Sequence, residues 1–114
     1  MTQGYDWQGR VGDNWALEHA RTDRSLEAVN AALLERTDRV APEAARILDI
    51  GCGAGATSVA LARRYPYANV RGVDLSQSLI DAAKARSETP TNLSFTQGDA
   101  SLWSGGDFRP DLLV

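Results

Sequence analysis

Three glycines at alternate positions, Gly51, Gly53 and Gly55, follow an apolar run that carries one acid, Ile47-Leu48-Asp49-Ile50. Glycine lets a backbone turn tightly and lie close to a ligand. A helix that starts just after such a turn offers unpaired N–H groups and the positive end of its dipole, which suits a carboxylate as well as a phosphate. Two further acids stand where later strands should end. Asp74 lies roughly 20 residues past the glycines, where an acid can accept hydrogen bonds from ribose hydroxyls. Asp74 or Ser76 could instead cap the helix that follows. Asp99 sits in Gly98-Asp99-Ala100, by itself a common turn. Asp49 inside an apolar strand is costly to bury without a partner. An ammonium group, directly or through water, would be one. The dinucleotide fingerprint G-x-G-x-x-G asks for glycine at position 56, where this chain has Ala56. A small alanine is sometimes tolerated there. From the loop alone, a nicotinamide or flavin cofactor, another adenosyl ligand and a tight turn that binds nothing all remain open.

These residues need elements to hold them. Arg46 to Ile50 predicts a short buried strand, and Thr57 to Arg64 a helix stopped near Pro66. Val70 to Asp74 predicts a second strand. Ser76 is a good N-cap for a helix from about Gln77 to Arg86, on which Leu79, Ala82, Ala83 and Arg86 recur at helical spacing. Pro90 breaks the chain, Leu93 to Gln97 is a third strand, and Asp111 to Val114 begins a fourth. Upstream, Gly4, Gly9 and Gly12 among Tyr5 and Trp7 predict an irregular first dozen residues. Asp13 is placed to cap a short helix through about Ala20. Thr22 or Asp23 could cap a longer one, with Leu26, Val29, Leu33 and Leu34 on its apolar face and Pro42 ending it.

Strands alternating with helices argue for a parallel sheet of right-handed crossovers. Ligands of such sheets bind beyond the carboxyl ends of the strands, where the strand order reverses. Gly51, Asp74 and Asp99 each fall at such an end. The expected fold is α/β, a Rossmann-like three-layer sandwich with a mostly parallel sheet, here truncated after its fourth strand. Two regions are expected: an N-terminal aromatic lid segment with helices over 1–45, and a cofactor-binding half-domain over 46–114.

The stretch Ile47-Leu48-Asp49-Ile50-Gly51-Cys52-Gly53-Ala54-Gly55 resembles motif I of the class I S-adenosylmethionine-dependent methyltransferases, hydrophobic-Leu-Asp-hydrophobic-Gly-x-Gly-x-Gly. The acid two residues before the first glycine belongs to that pattern, whereas a dinucleotide fold usually has an apolar residue there. The resemblance implies S-adenosyl-L-methionine as cofactor and S-adenosyl-L-homocysteine as product. It implies that Asp49 lies near the methionine moiety and that Gly51, Cys52, Gly53 and Gly55 form the cofactor loop. Asp74 would meet the ribose, Asp99 the exocyclic amine of adenine, and the backbone N–H of Ala100 a ring nitrogen. Leu75, Leu79, Leu102 and Trp103 could wall the adenine, although single apolar residues also serve a core. The family's complete sheet has strand order 3-2-1-4-5-7-6, so this chain would hold the cofactor-binding half of a methyltransferase. The acceptor-side residues and any catalytic group would lie past Val114, and the truncated chain alone would be inactive. A proline, Pro110, shortly before the fourth strand departs from the family pattern and leaves the role of Asp111 open.

Trp7-Gln8-Gly9-Arg10-Val11-Gly12-Asp13-Asn14-Trp15 resembles a Trp-x-Gly-x-x-Gly-x-x-Trp segment that precedes motif I in some small-molecule methyltransferases. There an N-terminal segment folds over the cofactor. Tyr5, Trp7 and Trp15 are then candidates to exclude water and to face the cationic sulfonium, with ordinary packing on the sheet as the alternative. His19, the one histidine, could help remove a proton from a substrate, but sits where a surface helix is expected.

Composition narrows the partners. A net charge of -3 gives no long-range attraction for phosphate backbones or anionic lipid, which disfavours nucleic acid and membrane surfaces. Arg63 and Arg64 form one basic pair, expected at a solvated helix end. Cys52 is the single cysteine, so no intramolecular disulfide can form, which fits a reducing compartment. The N-terminus has no basic and apolar leader pattern and no run is long enough to span a bilayer, so a cytoplasmic location is expected. One cysteine and one histidine make no recognisable metal site. The expected acceptor is a small molecule. A non-catalytic cofactor-binding module, and more remotely an NAD-dependent oxidoreductase, are the alternatives. A sheet cut at its fourth strand would expose an edge, so homo-oligomerisation through that edge is also expected.

Overall fold

The computed structural model describes residues 8–17, 19–102 and 108–114, with 15–17, 19, 20 and 22 described in backbone only. Two helices come first, α1 over Arg10–Leu17 and α2 over His19–Val40. Then follow β1 (Arg46–Ile50), α3 (Ala56–Arg64), β2 (Asn69–Asp74), α4 (Gln77–Lys84), β3 (Leu93–Gln97) and β4 (Leu112–Leu113). The four strands form one parallel sheet in the order β3-β2-β1-β4. The chain thus runs outward from β1 to β3 and returns to the far side of β1. The order reverses between β1 and β4, and that is where an α/β sheet opens a crevice at its carboxyl end.

Alternation along the strands divides the core. Ile47, Val70, Leu93 and Phe95 face α3 and α4, packing with Val59, Leu61, Ala62, Ile80 and Ala83. Leu48 and Val73 point to the opposite face, where Phe108 covers them. The Arg71 guanidinium lies over the Phe108 ring, 4.2 Å from its centre. β1 is central and its middle residues, Ile47 to Asp49, are buried on both faces, which is why its sequence is nearly continuous in apolar residues rather than alternating.

Several boundaries differ from the sequence-based expectation, each for a local reason. α1 begins at Arg10 rather than after Asp13, and Gly12 is buried within it. Asp13 is bonded across to Ser78 of α4 instead of capping. α2 begins before Thr22 and Asp23, so neither is its cap; Asp23 is paired with Arg86. Of the expected apolar face of α2, Leu34 packs on the core while Val29 is 59% exposed. α4 stops at Lys84, which frees Arg86 from the helix to make that ion pair. Ser76 does cap α4, its hydroxyl accepting the Leu79 N–H at 3.2 Å. β4 is shorter than 111–114. Asp111 precedes it, and its carboxylate accepts the N–H groups of Arg46 and Ala45 at 2.9 and 3.1 Å. These bonds, that to Arg46 first, hold its carboxyl below the usual range. Asp111 therefore anchors the start of β1, far from the carboxyl-end crevice. Arg63 and Arg64 end α3 paired with Glu88 and Asp38.

Candidate cofactor site

The loop after β1 is pinned to β2. The N–H groups of Gly51 and Cys52 both donate to the Val73 carbonyl, at 2.8 and 3.0 Å. The Gly53 N–H donates to Asp74 Oδ2 at 2.9 Å, and the Ser76 N–H to Asp74 Oδ1 at the same distance. One carboxylate thus ties the glycine loop to the start of α4. Gly51, Gly53 and Gly55 all have positive φ, at 70°, 58° and 93°, the left-handed region that disfavours other residues. They do not do the same job. A Cβ built on Gly51 or Gly53 meets nothing within 4 Å, whereas one on Gly55 would lie 2.6 Å from Phe95 Cζ. Gly51 and Gly53 keep space open above the sheet. Gly55 lets α3 close down on β3, and it stands at the N-cap of α3 with no side-chain cap. Among the described residues no side chain caps the first-turn N–H groups of α3, which leaves them for a ligand or water.

Beyond the strand ends lies a cavity of about 550 Å³, within the range of ordinary small-ligand pockets. Asp49, Gly51, Cys52, Gly53, Asp74, Leu75, Asp99 and Ala100 all line it. The three acids from three strand ends therefore share one hollow. Gly55 does not line it; Phe95 explains that glycine instead. The side chains of Trp15 and His19, and the whole of Tyr5, Trp7 and Trp103, lie outside the described residues. Of the expected adenine wall, Leu75 and Leu79 line the cavity, whereas Leu102 is 83% exposed and does not.

The electrostatics of the acids differ. Asp49 is 4% exposed, with Oδ2 accepting the Ser58 hydroxyl at 2.6 Å. Its Oδ1 has no hydrogen-bond partner among the described residues. Desolvation raises its pKa from 3.8 to about 6, against the lowering effect of Ser58 and with a further push from the charge of Asp74. Asp99 is exposed, and Ser101, donating through its hydroxyl and N–H to Oδ1, holds its pKa down. Burial pushes the Cys52 thiol well up, with the charges of Asp49 and Asp74 adding to it, so that side chain is packing rather than a nucleophile. Sequence reasoning missed Ser58, Asp23 and Leu26 as parts of this site. Ser58 carried the one usable signal, a hydroxyl in the first turn of the helix after the loop.

The profile of a family described as "Methyltransferase domain" matches residues 47–114, more than half of the chain. This chain belongs to the class I S-adenosylmethionine-dependent methyltransferases. It is similar to a trans-aconitate 2-methyltransferase from Variovorax paradoxus, 42% identical over 72 residues that make 63% of this chain and 27% of that protein. It is also similar to a malonyl-[acyl-carrier protein] O-methyltransferase from a Paenibacillus species, 32% identical over 89 residues, 75% of this chain and 32% of the relative. Among solved structures, the N-terminal domain of EvdMO1 with SAH bound superposes with a TM-score of 0.65 at 25% identity, over 74% of this chain and 36% of that one. The methyltransferase chain described here thus spans about a third or less of the curated relatives it matches.

S-adenosylmethionine is the cofactor of this family, and the residues present suit it. A buried carboxylate oxygen on Asp49 without a hydrogen-bond partner among the described residues suits an ammonium. The uncapped start of α3 matches a carboxylate. The open Cβ positions of Gly51 and Gly53 leave the room a close-lying ligand needs. No group of three His, Cys, Asp or Glu able to hold a metal occurs among the described residues, and none of their helices is long and apolar enough to cross a membrane.

Proposed function

We propose that the chain is the cofactor-binding portion of a methyltransferase whose acceptor is a small molecule, with residues 1–45 closing over the cofactor and 46–114 holding it. The observation that carries this is the meeting of Asp49, Asp74 and Asp99 around one cavity above an uncapped helix start. When bound, S-adenosylmethionine supplies an electrophilic methyl group on a sulfonium that leaves as a neutral thioether. The protein's share is alignment and the exclusion of water. Asp49 accepts from the ammonium, while the first turn of α3 meets the carboxylate of the same amino-acid tail. Asp74 accepts from ribose hydroxyls with the lone pairs its bonds to Gly53 and Ser76 leave over. Asp99 and the Ala100 N–H read the adenine between Leu75 and Leu79. Trans-aconitate, named for one relative, is a small molecule, which supports that acceptor class; the malonyl-[acyl-carrier protein] named for another is a protein-bound acceptor and the rival to it.

Asp74→Ala and Asp99→Ala test the assignment. Each should weaken S-adenosylhomocysteine binding by about 1–3 kcal/mol, the range for hydrogen bonds to a charged group. Asp74→Ala should cost more, because it also releases the Gly53 N–H that shapes the loop. Titration calorimetry reads both, and unchanged affinity in both variants would remove the site. Self-association is a second expectation. The sheet face opposite α3 and α4 leaves Ile50 45% and Leu113 60% exposed, and β4 is an edge. Such edges pair with other strands. A single monomeric species in sedimentation at every concentration would contradict this.

A further inference from the structure

We propose that Arg86 is a positioning residue that latches α2 onto the glycine loop and so sets how long the cofactor stays bound. The inference rests on the reading of the cavity as the cofactor site. Arg86 leaves the end of α4 and reaches two targets. Its Nε donates to the Ala54 carbonyl at 2.6 Å, inside the loop. Its Nη2 donates to both carboxylate oxygens of Asp23 on α2, at 2.8 and 2.6 Å. The two side chains are only 19% and 28% exposed, so this pair is stronger and less screened than a surface one.

The consequence follows from how α2 is attached. Asp23 and Leu26 line the cavity, so the N-terminal half of α2 is one of its walls. Asp23, Leu26 and Asn30 share a helix face by spacing, and the Thr57 hydroxyl donates to Asn30 Oδ1 at 2.6 Å. From Arg21 to Asn30 no described side chain is buried. The C-terminal half is held differently. Leu34 packs on the core, and Thr37 is buried, its hydroxyl accepting from the Tyr65 hydroxyl at 3.1 Å. One half of α2 is thus anchored by packing, while among the described side chains the wall-forming half is held by polar ties, and of these the Arg86 bridge also grips the loop. Segments held this way open at low cost, and an opening here uncovers the cavity.

The experiment is dissociation of S-adenosylhomocysteine from the full chain, followed by surface plasmon resonance at low and at about 0.5 M salt. Arg86→Met and Asp23→Asn should each raise the dissociation rate about tenfold, with the double variant no faster than either single one. Arg86→Lys, which keeps the charge but cannot make both contacts, should recover part of the effect. Added salt should speed release from the wild type and not from Arg86→Met, a response that a merely structural arginine would not give. Wild-type rates in folded Arg86→Met and Asp23→Asn, or effects that multiply in the double variant, would overturn the latch while leaving the cofactor site intact. Failure of the wild type to bind S-adenosylhomocysteine would overturn both. Should Arg86→Met not fold, Asp23→Asn, an isosteric change on α2, decides alone.

Discussion

Replacing Asp49 by asparagine is expected to stabilise the ligand-free protein and, at the same time, to weaken its hold on S-adenosylhomocysteine. Asp49 is 4% exposed, and its carboxyl is lifted from 3.8 to about 6. A shift of that size corresponds to about 3 kcal/mol of unfavourable charge burial at neutral pH. The sign is fixed by linkage. A carboxyl whose folded pKa exceeds its unfolded one contributes stability in its protonated form. That contribution is full below the unfolded value and is lost as pH rises through about 6. Asparagine carries no charge to desolvate and can still accept the Ser58 hydroxyl, but it brings an amide N–H that wants a partner. The net gain at pH 7.5 should be about 1–2 kcal/mol, read as a melting temperature several degrees higher, with the fall in stability between about pH 4 and 6 removed. Binding moves the other way. If Asp49 meets the ammonium as proposed, loss of its carboxylate should weaken S-adenosylhomocysteine by about 2–3 kcal/mol. In the wild type, affinity should fall as pH drops below about 6, because only the ionised form attracts the ammonium; Asp49→Asn should show no such fall. An Asp49→Asn protein that binds as tightly as the wild type would leave the buried charge unexplained.

Gly55→Ala should be the most destabilising of the loop substitutions. The methyl group would lie 2.6 Å from Phe95 Cζ and 2.9 Å from Cε1, at a residue whose φ is +93°. The left-handed backbone costs about 1–2 kcal/mol for a non-glycine residue, and the overpacking about 1–3 kcal/mol more. Denaturant titration should therefore show a loss of about 2–5 kcal/mol. Combining it with Phe95→Leu should recover the packing part and not the backbone part. Gly53→Ala has the open Cβ position and φ of +58°. It should lose only about 1–2 kcal/mol of stability but fill open space at the cavity wall, so its main effect should be on affinity. If Gly53→Ala and Gly55→Ala behaved alike in both assays, the division of labour among the glycines would be wrong.

What could be read from the sequence was what is local in it. β3 runs from Leu93 to Gln97 as expected after the break at Pro90, and Ser76 caps α4 as its position before an apolar periodic run implies. Parallel pairing follows from strands alternating with helices, and the order β3-β2-β1-β4 agrees with the start of the order the resemblance implied. The failures are long-range. Asp23 looked like a helix cap because nothing nearby in sequence says that Arg86 will meet it. Gly55 looked like a third ligand-facing glycine because Phe95, forty positions away, is invisible to spacing. Asp111 had no legible role because its partners, the N–H groups of Ala45 and Arg46, stand about 65 positions earlier in the chain. Contacts of this kind depend on how the sheet folds back on itself, and no window of local sequence contains them.

Side-by-side calorimetry of the wild-type chain with S-adenosylhomocysteine and with NAD tests the shared-cavity reading most directly. The buried Asp49 and the strand-end Asp99 favour a ligand with an ammonium-bearing tail and an adenine, so S-adenosylhomocysteine should bind, more weakly at pH 5 than at pH 7.5, and NAD should not. Binding of NAD without S-adenosylhomocysteine would contradict the account.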